Sequence, residues 1–251
     1  MVQKQAIEAA FKNFAQGLKQ SFQLKGIFFD MDGVLFNSMP LHATAWIEAF
    51  GIYDIHLHEV EPFMNEGSTA SYTVEKMFRK YLKKDPTPEI TEKIRQHKHH
   101  IMAELPAAEI MQPMPDLLKL IDRQKLDCWV VTGSAQELLL DRLEKEYGGT
   151  LKRRKMVTAH DVKIGKPHPE PYLIGMKKSG MGTSEAIVIE NAPLGIQSAK
   201  AAGLFTIAIN TGPLAPKVLE EAGADLVLSG SHELLQTWPS IYSLLLNKQH
   251  I

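Results

Sequence analysis

Ile27-Phe28-Phe29-Asp30-Met31-Asp32-Gly33-Val34-Leu35 carries apolar and aromatic residues suited to a buried strand straight into two carboxylates spaced two apart. Gly33 then frees the backbone from ordinary φ/ψ limits. Carboxylates at the carboxyl end of a parallel strand lie where open α/β sheets bind ligands, and two together suit Mg²⁺ better than a packed core. Asp-x-Asp-Gly also makes an acidic turn that caps a helix, so the motif alone leaves both readings open.

On its N-terminal side, residues 1–23 form an extension with Ile7, Ala10, Phe11, Phe14 and Leu18 at helical spacing. This predicts an amphipathic helix on the outside of the core. A transit peptide is the alternative, but Glu8 and the shortage of Arg and Ser weigh against it. On the C-terminal side, Pro40 opens a long stretch of helical periodicity through Trp46, Phe50, Val74, Phe78, Ile94 and Ile101, with no convincing strand. The reading is an inserted helical cap over 40–111, with the core formed by 24–39 and 112–251. Pro113 and Pro115 are expected to stop helix and mark a hinge back into the core.

From there helices and strands alternate. Strands are expected at Cys128–Thr132, Met156–Thr158, Ala186–Glu190, Leu204–Ile209 and Leu226–Leu228. Helices are expected from Leu117, from Ser134 to Leu143, at Pro169–Lys178, Pro193–Ala202 and Pro213–Ala222, and through Leu246. This order implies an α/β fold, a doubly wound parallel sheet with right-handed crossovers.

Composition agrees with a globular enzyme-sized chain. The 251 residues are 44% hydrophobic, enough for one large core with an insertion. A formal charge of -1 gives no global field toward nucleic acid or anionic membrane, and neither is expected as a partner. The lone Cys128 cannot form an internal disulfide and reads as a small buried hydrophobe, which fits a cytoplasmic location. No apolar run approaches the length of a membrane span.

Three more polar groups follow strands of the expected sheet: Thr132, Lys166, and the pair Glu190 and Asn191. Taken singly, Thr132-Gly133-Ser134 is as well a helix N-cap, Lys166 a solvated lysine, and Glu190-Asn191-Ala192-Pro193 a turn into a helix. Together with Asp30 they converge on one sheet edge, which favours a site. The run His97-Lys98-His99-His100 places two imidazoles on one helical face, but without a third ligand it reads as a solvated face rather than a zinc site.

With these motifs in order, the chain resembles the haloacid dehalogenase superfamily, in its β-phosphoglucomutase-like branch with a helical cap. The carrying segments are Asp30-Met31-Asp32-Gly33-Val34-Leu35, Val131-Thr132-Gly133-Ser134, Gly165-Lys166-Pro167-His168-Pro169, and Glu190-Asn191-Ala192-Pro193-Leu194-Gly195. The resemblance spans about residues 25 to 230 and leaves the N-terminal helix unexplained. It implies that Asp30 is a nucleophile forming an aspartyl-phosphate, with Asp32 as general acid and base. Residues two apart on an extended strand face the same way, which would keep both around one phosphoryl site. By the same resemblance Thr132, with the backbone near Gly133 and Ser134, holds phosphoryl oxygens, and Lys166 offsets their charge. Mg²⁺ is expected on Asp30, the Asp32 carbonyl, Glu190 and Asn191. His42 matches in spacing a histidine used near the general acid, its alternative being an exposed helix residue.

Three departures bear on the reaction. Asn191 stands where the family more often has aspartate, which removes a charge from the metal site. Ser68 and Ala135 occupy places where family mutases hold a distal phosphate with arginine and lysine. Loss of both favours water as acceptor, although Lys76 or Arg79 could compensate. The expectation is therefore a phosphatase of small phosphorylated metabolites, monomeric or a small homo-oligomer, with a β-phosphoglucomutase-type mutase as the alternative. Asn65, Glu66, Ser68 and Ala135 are expected to shape specificity. A receiver-like phosphoacceptor module would not need Asp32 or a lid. A nicotinamide enzyme would need a Gly-x-Gly-x-x-Gly turn that is missing here.

Overall fold

The computed structural model describes residues 4–134 and 137–246. Strand β1 (Gly26–Phe29) is buried along its whole length, as a strand covered on both faces must be. It pairs in parallel with β4 (Asp127–Val131) on one side and β6 (Ala186–Glu190) on the other. Outside these lie β5 (Met156–Val157), β7 (Phe205–Ile209) and β8 (Leu226–Leu228), giving a six-stranded parallel sheet of order β5-β4-β1-β6-β7-β8. Its apolar strands read as continuous hydrophobic runs because helices cover both faces, and β1 at the centre delivers Asp30 to the carboxyl edge.

Core helices are α6 (Met114–Arg123), α7 (Glu137–Glu146), α8 (Glu170–Ser179), α9 (Pro193–Ala201), α10 (Pro216–Glu221) and α11 (Ser231–Leu246). Gly180 ends α8 in the left-handed conformation at φ 74°, where a residue without Cβ is favoured. Helix α1 (Lys4–Ala15) buries Ile7, Phe11 and Ala15 against the core. Phe11 meets Phe22 and Phe205 edge-on, with ring centroids 5.1 and 5.7 Å away. Burial of such a ring contributes about 2 kcal/mol, so the extension is part of the core rather than an appendage.

Helices α2 (Met39–Gly51), α3 (Glu61–Met64), α4 (Ala70–Leu82) and α5 (Pro88–Glu104) fill the segment between β1 and α6. Thr69 and Thr87 cap α4 and α5 through their side-chain oxygens. Trp46, Phe50, Val74, Phe78, Ile94 and Ile101 form an apolar cluster separate from that of the sheet. Where the chain leaves and re-enters the core, β2 (Phe36–Asn37) and β3 (Glu109–Ile110) pair antiparallel.

Several sequence expectations are corrected here. The helical stretch does contain a strand, β3, whose two residues are too few for an alternation to register. Pro113 and Pro115 begin a helix rather than stop one: Pro113 precedes α6 and Pro115 sits in its first turn, where a missing N–H costs nothing. The helix expected from Pro213 starts only at Pro216, leaving residues 210–215 as a loop at the sheet edge. Among the described residues, no helix is long and apolar enough to cross a membrane.

Candidate active site

Asp30 leaves β1 one residue beyond its last paired position, its N–H donating to the Ile189 carbonyl at 3.0 Å. The chain then bends at Met31, and Asp32 makes an isolated bridge to Phe36. The two carboxylates therefore do not share the face of one extended strand, as the spacing suggested. The turn separates them into two different networks.

Asp30 Oδ1 accepts from Lys166 Nζ at 2.5 Å, and the same nitrogen donates to Glu190 Oε1 at 2.6 Å. All three side chains are buried. Tyr172 also donates to Glu190 Oε1 at 3.1 Å, while Glu190 Oε2 accepts the N–H groups of Asn191 and Ala192 at 2.9 and 3.1 Å. Burial pushes the Asp30 carboxyl up to about 8, with Lys166 pulling it down and Glu190 and Asp32 adding to the rise. Burial disfavours the Lys166 ammonium, but Asp30 and Glu190 outweigh that and keep it charged.

Asp32 belongs to the other network. Its Oδ1 accepts from Ser38 Oγ at 2.6 Å and faces His42 Nε2 at 3.4 Å. Lys98 of α5 lies 3.0 Å from His42 Nδ1 and 5.0 Å above the Trp46 ring. An ammonium can only donate, so charged Lys98 leaves the imidazole proton on Nε2, facing Asp32. Burial opposes the Asp32 charge, yet His42, Ser38 and Lys98 hold its carboxyl below the usual range. Burial pushes Lys98 down to about 8 against the pull of Asp32. Lys98 was read as part of a solvated run. Its signal lay in long-range contact, since His42 and Lys98 are 56 positions apart.

Glu66 enters from the helical segment. Asn191 Nδ2 donates to Glu66 Oε2 at 3.0 Å, and Glu66 Oε1 and Asn191 Oδ1 are buried without partners. Burial, then Asp30, Asp32 and Glu190, push Glu66 well above the ordinary glutamate range. Gly33, at φ +82°, lies so close to Asn191 that a Cβ there would fall 2.1 Å from Nδ2. Asp30, Glu190 and Glu66 thus gather about Lys166, and the orphaned oxygens of Glu66 and Asn191 beside them suit a hard divalent cation. The donor set mixes carboxylate, amide and carbonyl oxygens. Among the described residues no group of three His, Cys, Asp or Glu could hold a metal.

The remaining expected residues fall as follows. Thr132 is buried beyond β4, its Oγ1 accepting the Ser134 N–H at 3.0 Å. Gly133 lies against the Gly67 carbonyl, where a Cβ would fall 2.8 Å from that oxygen. Ser68 Oγ donates to the Asn65 carbonyl at 2.8 Å and contacts Thr73 Oγ1 at 2.8 Å, so it braces the loop before α4. Asn65 Nδ2 donates to the Glu61 carbonyl at 2.7 Å. Arg79 pairs with Asp85 at 2.5 Å on the exposed side of α4, and Lys76 lies 5.8 Å from the Tyr72 ring. Ala135 lies outside the described residues.

Known proteins match this chain over most of its length. The family model of haloacid dehalogenase-like hydrolases matches residues 27–209. Hexitol phosphatase A of Escherichia coli is 29% identical over 213 residues, 85% of this chain and 94% of that protein. Glycerol-1-phosphate phosphohydrolase 1 of Saccharomyces cerevisiae is 28% identical, covering 86% of each chain. A solved β-phosphoglucomutase-like protein of Bacteroides vulgatus is 41% identical, with TM-score 0.91, over 97% of this chain and 99% of that one.

Proposed function

Because the chain belongs to the haloacid dehalogenase-like hydrolase family, whose relatives here are phosphatases and a phosphoglucomutase-like protein, we propose that it is a Mg²⁺-dependent phosphatase of small phosphorylated sugars or polyols. The phosphoryl group passes through Asp30. The observation that carries this reading is the division of two neighbouring carboxylates into separate networks, Asp30 on buried Lys166 and Asp32 on Ser38 and His42.

Asp30 attacks phosphorus as the nucleophile, Lys166 balances the charge gathered there, and Asp32 handles the proton of the leaving oxygen and then of water. The protein's own groups hold Asp32 acidic and Asp30 basic, opposite to those roles. An incoming phosphate reverses the first, because added negative charge raises the proton affinity of Asp32. Asp30, Asn191 and Glu66, with the Asp32 carbonyl, would hold Mg²⁺; Glu190, expected from the sequence as a ligand, has both oxygens taken by Lys166, Tyr172 and the N–H groups of Asn191 and Ala192, and so braces the site instead. Bound there, Mg²⁺ would supply positive charge that favours the ionised form of Asp30 and offsets the charge of the phosphate. Residues 40–111 act as the cap, hinged at the β2–β3 ribbon, and exclude bulk water from the phosphoenzyme until an ordered water attacks.

Water is favoured over a bisphosphate-retaining mutase cycle because Ser68 is engaged within its own loop and Arg79 pairs away from the site. Phosphate release from hexitol, glycerol and sugar phosphates, measured beside conversion of β-glucose-1-phosphate to glucose-6-phosphate, tests this. Net phosphate release is expected; isomer conversion without release would establish the mutase.

Two further outcomes follow from the site. Asn191→Asp sets a carboxylate against Glu66 in place of a donor. It should lower the melting temperature without metal and lower the half-saturating Mg²⁺ concentration, on the order of tenfold, because added ligand charge tightens divalent binding. No change in the Mg²⁺ titration would count against Asn191 as a ligand. For Lys98, the folded pKa of about 8 lies below the ordinary 10.5. Its proton on His42 is present below about pH 8 and lost above it. In saturating Mg²⁺, kcat/KM should fall on that alkaline side, and Lys98→Met should flatten the limb. The sign for stability is opposite to that of activity: the folded state binds fewer protons than the unfolded between about 8 and 10.5, so the lysine's cost to stability declines as pH rises through that window.

A further inference from the structure

The cap meets the core in a second place, apart from the Asp30–Lys166–Glu190 cluster. Val60, Phe63 and Met64, in and beside α3, do not join the apolar cluster of the other cap helices. They pack instead on the core cluster of Ile196, Ala208, Leu214 and Leu219, contributed by α9, β7, α10 and the 210–215 loop. Phe63 lies over Gly212 of that loop so closely that a Cβ there would stand 2.9 Å from its Cδ1 and 3.3 Å from its Cε1. Contacts under 3.0 Å are not tolerated without movement, so the missing side chain of Gly212 makes the notch that receives the ring.

Both sides of this contact are braced. In the core loop, Asn210 Nδ2 donates to the Leu214 carbonyl at 2.7 Å, and Thr211 Oγ1 donates to the Gly33 carbonyl at 2.7 Å, next to Asp32. In the cap, Glu61 is buried and accepts from the His58 N–H at 2.7 Å, from Tyr81 and from Lys80. Asn65 ties back to the Glu61 carbonyl through both its backbone and side-chain nitrogens. Hydrogen bonds thus tie His58, Glu61, Asn65 and Ser68 into one braced segment, with Phe63 in its middle and Glu66 and Gly67 in its second half.

We propose that Phe63 is a positioning residue, and that its seating in the Gly212 notch closes segment 58–68 over the site and delivers Glu66 to Asn191. This rests on the functional reading above only in taking the site as the phosphoryl site. The notch favours the closed cap through packing, and it acts at a distance from the reacting atoms, through Glu66.

A double-mutant cycle tests it with two readouts. Gly212→Ala fills the notch, Phe63→Leu removes the ring, and the double variant has both. Backbone amide exchange over 58–68, read by mass spectrometry without substrate, should rise several-fold in Gly212→Ala. The double variant should be no worse than Phe63→Leu alone. In turnover, kcat/KM for phosphate release should fall on the order of tenfold in Gly212→Ala, within the range that small misplacements cost, with the same non-additive pattern. Thermal melts confirm that each variant is folded, and Phe63→Leu, at a half-buried position, keeps the test available if Gly212→Ala is not. Additive effects, or unchanged exchange over 58–68 in both single variants, would overturn the proposal. Coupled exchange in a protein that releases no phosphate would leave the latch standing and refute the catalytic reading instead.

Discussion

Asp30→Asn should abolish phosphate release while leaving the protein folded. Removing a nucleophile that forms the covalent intermediate costs about four orders of magnitude or more in kcat. The amide keeps the shape of the carboxylate but cannot attack phosphorus. Lys166 retains its bond to Glu190, and one of four crowded carboxylates is gone, so thermal stability should be unchanged or raised. A variant that still turns over at more than about a hundredth of the wild-type rate would move the nucleophile elsewhere.

Lys166→Met should be the most destabilising single change in the site as well as an inactivating one. Both ion pairs of this lysine are buried, at 1% exposure for its own side chain and at most 5% for either partner. Deleting the cation leaves Asp30 and Glu190 facing each other without compensation, which costs about 3–5 kcal/mol for buried pairs of this kind. Pairs on the exposed helix surface, such as Arg95 with Glu92, are screened by solvent, contribute little and form the control. Urea unfolding gives the comparison directly. An unfolding midpoint for Lys166→Met equal to that of Arg95→Ala would show that the triad is solvated or already neutral. A shift that disappears at low pH would instead confirm it, because protonating the two carboxyls removes the uncompensated charge.

What the sequence made legible was the part encoded locally. β1, β4, β6 and β7 are unbroken apolar runs, and their alternation with helices determines the parallel sheet. Asp30, Thr132, Lys166 and Asn191 follow such strands directly or after a loop, so their gathering at one edge is a consequence of topology. What the sequence hid was pairing across distance and in short elements. Glu66 and Asn191 are 125 positions apart, and nothing around Glu66 announces that its carboxylate enters the core. Lys98 sits beside His99 and His100, which face solvent, and the packing of α5 on α2 sets it over Trp46 and against His42. The two-residue β3 carries no period, and Pro213, read as a helix start, belongs to the loop that presents Gly212 to Phe63. The same residue type served opposite purposes, since Pro115 begins a helix where its neighbourhood suggested an ending.

We propose covalent phosphoryl transfer through Asp30 to water. Rapid acid quench of the enzyme turning over a labelled hexitol or glycerol phosphate, followed by peptide mapping, tests it most directly. A transient, base-labile label is expected on the peptide that contains Asp30, appearing with the first turnover, absent in Asp30→Asn, and discharged as free phosphate. Phosphate release at full rate with no label on that peptide would contradict it, and would make Asp30 a bystander to direct attack by water.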